Sequence, residues 1–104
     1  MAVFAISFRI ADKTTTLGTY QDRYDSFVDL VKASSVDGVW DETSSFILIK
    51  NDASTSKALA NDFRLLTMID PEVDLAIVIN LSMKSHAVVG TPEEPDLELL
   101  MSMR

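Results

Sequence analysis

Three carboxylates alternate around a proline in this chain: Asp70, Glu72 and Asp74, with Pro71 and Val73 between them. Oxygen ligands gathered in a loop are what a hard cation such as calcium or magnesium takes. A calcium loop also needs a glycine at its sharp turn and a distant bidentate glutamate, and this stretch has neither. The simpler reading is that Asp70 closes a helix and its turn while Glu72 and Asp74 stay in water. A second acidic pair, Asp41 and Glu42, follows Trp40. Neighbouring residues of a strand point to opposite faces, so these two are poorly placed as an acid–base pair.

Other chemistry is scarce. His86 is the only histidine, which rules out a cluster of imidazole ligands within one subunit; as a lone residue after a strand it reads as a surface or interface histidine. Nucleophilic catalysis on a strained turn calls for a Gly-x-Ser-x-Gly motif, and none is present. Three glycines, at 18, 38 and 90, cannot build a phosphate-cradling loop, and a chain without cysteine offers neither disulfide nor thiolate site. Trp40 with Arg9 would make a stacking platform for a base or a side chain, although a tryptophan at the edge of the core is the commoner arrangement. Near the C-terminus Leu97, Leu99, Leu100, Met101 and Met103 cluster. That apolar stretch has to bury somewhere, in its own core or on a partner.

The elements that would position these residues follow from hydrophobic periodicity. Phe4, Ile6, Phe8 and Ile10 alternate with Val3, Ala5, Ser7 and Arg9, predicting a strand over 2–10 with its aromatic face toward helices. Tyr20, Tyr24, Phe27, Val28 and Val31 repeat at helical spacing, predicting a helix over 20–33 with Thr19 as its N-cap. Asp22, Asp25 and Asp29 fall on its outer side. Residues 39–50 read as two short strands, or one strand bent near Ser44 and Ser45. Ser54, Thr55 or Ser56 caps a second helix over 56–69, with the stripe Leu59, Phe63, Leu66 and Ile69, stopped at Asp70-Pro71. Leu75 to Leu81 is the most continuous apolar run, expected to be central or buried on both faces. Phe4, Phe27, Phe63 and Ile77 are expected to meet in the core. Residues 86–90 read as a further short strand, and 91–95 as a Pro/Glu linker to the apolar end.

This order, β-α-β-β-α-β, predicts an α+β ferredoxin-like sandwich: an antiparallel sheet with two helices on one face. Residues 1–90 form that domain and residues 91–104 an acidic, apolar tail. At 104 residues the chain holds one core. Its net charge of −7 repels phosphate backbones and disfavours nucleic acid as a partner. Part of that charge is local, because Glu93, Glu94, Asp96 and Glu98 crowd the tail against Arg104 alone. The start, MAVFAISFRI, has no basic segment, and Arg9 interrupts its apolar run. It does not read as a signal peptide, and no stretch is long enough to span a bilayer. The expectation is a cytoplasmic protein without membrane contact or cofactor.

The first strand AISFRI, the helix entered through Gly18-Thr19-Tyr20, the segment from Gly38-Val39-Trp40 to Ser44-Ser45-Phe46, and Ile69-Asp70 before Asp74-Leu75-Ala76-Ile77-Val78 resemble the small CRISPR-associated ferredoxin-like endoribonucleases. The resemblance covers about residues 3–82. It implies a homodimer, often with a C-terminal strand crossing to the partner, and a metal held by paired aspartates that follow an aromatic residue at the end of the first strand. Here Phe8 is followed by Arg9, and a guanidinium repels a cation rather than binding it. Two functions are therefore weighed. One is a non-enzymatic homodimeric interaction module using Arg9, Trp40, His86 and the tail residues Leu97, Leu99, Leu100 and Met101, with residues 86–103 lying against the neighbouring subunit. The other is a divalent-metal nuclease or nucleic-acid-binding relative using Asp41, Asp70 or Asp74.

Overall fold

The computed structural model describes residues 1–53 and 55–103. Its elements run β1 (Ala2–Arg9), α1 (Tyr20–Ala33), β2 (Val39–Thr43), β3 (Phe46–Asn51), α2 (Ser56–Leu66), β4 (Leu75–Asn80), β5 (Ser85–Val89) and α3 (Leu97–Ser102). The five strands make one antiparallel sheet in the order β2-β3-β1-β4-β5. The expected β-α-β-β-α-β succession is met through β4. A fifth strand and a third helix then take the molecule beyond a four-stranded sandwich. No helix among the described residues is long and apolar enough to cross a membrane.

Local chemistry explains the boundaries. Thr19 starts α1 with a reciprocal capping box: its hydroxyl accepts from the Asp22 N–H at 3.1 Å, and the Asp22 carboxylate accepts from the Thr19 N–H at 3.2 Å. Thr55 caps α2 through the Ala58 N–H; Ser54, also a candidate, lies outside the described residues. β2 and β3 are separate strands joined through Ser44 and Ser45. α2 stops at Leu66, short of Asp70-Pro71, for a side-chain reason. The Thr67 hydroxyl donates to the Phe63 carbonyl at 2.6 Å and accepts from the Ile69 N–H at 3.2 Å, offering the backbone an alternative to another helical turn. Leu66 is consequently exposed, while Ile69 reaches the core from the loop.

The core lies between one face of the sheet and helices α1 and α2. Phe4, Ile6 and Phe8 from β1 meet Phe27 and Val31 from α1 and Leu59 and Phe63 from α2. Phe27 sits at their centre, 5.1 Å from the Phe8 ring and 5.8 Å edge-on to Phe63. Ile77 does not join them. In β4 it is Ala76, Val78 and Asn80 that are buried, and Ile77, opposite Ser7 and Val88, belongs to the other face. An unbroken apolar run carries no period to say which residues point inward.

Candidate interaction surface

The face turned away from α1 and α2 is the one the sequence candidates share. Strand alternation places Val3, Ala5, Ser7 and Arg9 of β1 on it. Register then adds Phe46, Leu48 and Lys50 from β3, and Leu75, Ile77 and Ile79 from β4. Trp40 pairs with Leu48, and His86 and Val88 pair with Ile79 and Ile77, so all three point the same way. Trp40 is therefore on the far side of the sheet from the core, 40% exposed and edge-on to Phe46 at 6.1 Å. It lines a cleft with Val3, Leu48 and Lys50. Arg9 lines other clefts, so the two do not form one stacking platform.

The tail occupies part of this face. His86, half-buried in β5, pairs through Nε2 with both Glu98 carboxylate oxygens, at 2.7 and 2.9 Å. Leu97 borders a cleft of about 310 Å³ together with Arg9, Leu75, Ile77, Glu93 and Glu94. Leu97 and Met101 are half-buried, whereas Leu99, Leu100 and Met103 face water. α3 buries no residue completely, and an exposed hydrogen-bonded pair of this kind contributes at most about 1 kcal/mol. The strand expected over 86–90 pairs with β4 of its own subunit. Gly90 lets the chain leave β5: at φ +92° it takes a conformation other residues avoid, and a side chain there would strike the Asp74 carbonyl.

The acidic candidates do not converge. Asp74 is fully engaged with a residue the periodicity reading passed over, Arg23, whose side chain is as buried as its own. Arg23 Nε and Nη2 donate to the Asp74 carboxylate at 3.0 and 3.3 Å. Its remaining N–H groups reach the carbonyls of Ala11, Lys13 and Gly18 at 2.7–2.8 Å, so all five donors are used. Asp74 also accepts from the N–H groups of Ala11 and Asp70, both at 2.8 Å. Asp70 is buried and accepts from the Glu72 N–H at 3.0 Å, as a turn-closing aspartate does, while the Glu72 side chain stays exposed. Asp41 is held by Lys32 at 2.9 Å. The hydrogen bond that Lys32 donates to Asp41, then the charge of that carboxylate, raises the Lys32 pKa above the ordinary 10.5. A raised pKa means that this link is complete below the ordinary value and is lost only as pH climbs through the raised one. Among the described residues, no three His, Asp or Glu side chains gather where they would hold one metal ion.

Arg23 was legible only as an exception. It lies four residues before Phe27, on the helix face that enters the core, where a guanidinium needs a buried partner. Comparison with protein-family models, curated proteins and solved structures finds no match to this chain.

Proposed function

We propose that this protein is a non-enzymatic homodimeric interaction or assembly module that works through the open face of its sheet. One observation carries the reading. A face with Val3 and Trp40 exposed and Leu48 and Ile79 half-buried is left uncovered by α1 and α2, and apolar side chains gathered on an open face mark a place where another protein packs. Face packing is also favoured over pairing along the β2 edge. That edge carries Asp41 and Glu42, and its register is irregular between Trp40 and Thr43, two devices that discourage strand addition. The architecture is compatible with a ferredoxin-like core extended by β5 and α3. The resemblance to CRISPR-associated proteins implies a metal-binding aspartate at the position of Arg9, and a guanidinium there supports a role without metal chemistry.

Sedimentation equilibrium tests the reading. The unmodified chain should reach a dimer as concentration rises, and Leu48→Glu should weaken that dimer by about 100-fold or more. The glutamate would be desolvated without a partner, while residue 48 contributes little to the core on the other face. An unchanged dimer in the variant places the interface elsewhere. In magnesium or manganese the protein should leave labelled RNA and duplex DNA intact. Cleavage that survives repurification and disappears in Asp41→Asn or Asp70→Asn would instead establish the nuclease reading.

A further inference from the structure

Opposite charges share a space on this molecule without closing on one another. Two clefts meet at Arg9. One, of about 410 Å³, is also lined by Lys13, Glu72 and Glu93. The other, of about 310 Å³, lies between the tail and the sheet, where Leu75 and Ile77 meet Leu97 and both Glu93 and Glu94. Volumes of this size are those of small-molecule sites. The ion pairs among the described residues are Arg23–Asp74, Lys32–Asp41 and His86–Glu98, and the charges of the two clefts enter none of them except at Asp74. One wall is prepared in advance. Arg23 holds the carbonyls of Ala11 and Lys13, and Asp74 accepts from the Ala11 N–H, so the buried pair fixes the loop that carries Lys13. A preformed wall spares a ligand the entropy of ordering it.

We propose that the joined clefts bind a free α-amino acid with an apolar side chain. Its carboxylate meets Arg9, its ammonium meets Glu93, and its side chain lies against Leu75, Ile77 and Leu97. The charges select a zwitterion over a simple ion. Glu72, Glu93 and Glu94 outnumber Arg9 and Lys13, so a carboxylic acid without an amine is repelled; an amine without a carboxylate leaves Arg9 unanswered. Asp74 does not change this balance, because Arg23 neutralises it. A metal ion does not suit the place, since no three carboxylates among the described residues gather to hold one. The tail is the closing wall. Its helix buries no residue by itself, and a ligand side chain under Leu97 gives it the apolar contact it lacks. The site goes beyond the homodimer reading and does not depend on it. It sits at the Arg9 end of β1, whereas the Trp40 cleft is at the Val3 end.

Nuclear magnetic resonance titration of the unmodified chain with leucine tests the assignment. 4-Methylpentanoate, which lacks the amine, and 3-methylbutan-1-amine, which lacks the carboxylate, are the controls. Leucine should shift the Ile77 and Leu97 methyl signals saturably, with a dissociation constant of about 1 mM, as exposed charge pairs allow. Amide exchange at residues 97–102 should slow as the tail closes. Neither control should bind within about 10-fold of leucine, the loss of one charge-assisted pair. Arg9→Gln and Glu93→Gln, both at the surface, should keep the circular dichroism of the parent and each weaken leucine by about 10-fold or more. Equal binding of 4-methylpentanoate or of the amine overturns the amino-acid assignment. Leucine binding that survives both substitutions overturns the site. The absence of saturable shifts by about 10 mM leucine overturns the proposal and leaves the homodimer reading standing.

Discussion

Asp74→Ala should cost the fold about 3–5 kcal/mol, a large part of the total stability of a domain this size. The reason is the charge left behind. Arg23 is buried with no exposure, and Asp74 is its only carboxylate partner among the described residues. The substitution also strips the Ala11 and Asp70 N–H groups of their acceptor, so the loop after β1 and the turn before β4 loosen together. Urea unfolding followed by circular dichroism measures this as a fall in midpoint. Asp74→Asn, which keeps one carbonyl acceptor, should fall less than the alanine variant. A loss below about 1 kcal/mol for Asp74→Ala would mean that water reaches Arg23 in solution, because only a desolvated charge carries such a penalty.

Phe63→Ala and Phe27→Ala should each destabilise the protein by about 3–5 kcal/mol, the cost of deleting a buried ring and leaving its cavity. Both are completely buried, and their rings touch across the helix pair. Ile77→Ala provides the contrast. Its side chain is half-buried on the opposite face of the sheet, and its loss should cost less than the 2–5 kcal/mol typical of a fully buried Ile→Ala change. Unfolding midpoints of the three variants, measured side by side, decide which face of the sheet carries the core. Equal losses at Phe63 and Ile77 would contradict the assignment.

How far the molecule could be read from its residues varies with how local the deciding interaction is. β1 was legible because strict alternation of Phe4, Ile6 and Phe8 with smaller or polar residues fixes both the period and the inward face. α1 was legible from Thr19 to Ala33 because its cap and stripe are written within a few residues of each other. β4 was legible as a strand but not as a surface. LAIVINL is apolar at every position but the asparagine, and only the pairing of Ile77 with Ser7 and Val88 shows which side is open. The early end of α2 depends on the rotamer of Thr67, which no periodicity records. Arg23 and Asp74 are separated by 51 residues, so their union required the fold. The same holds for the tail: its apolar content announced a contact, but the His86–Glu98 pair that lays it on its own sheet is a product of topology.

Trp40 offers the most direct measurement of the central claim, that the open sheet face is the interaction surface. It is the only tryptophan in the chain, it is 40% exposed, and it stands on that face beside Leu48. Its fluorescence therefore reports whether this surface, rather than another, leaves water on association. The emission should move to the blue as concentration rises, with the same midpoint as the monomer–dimer transition seen by sedimentation. Dilution should restore the red-shifted spectrum. A dimer that forms while the Trp40 emission stays unchanged would contradict the account.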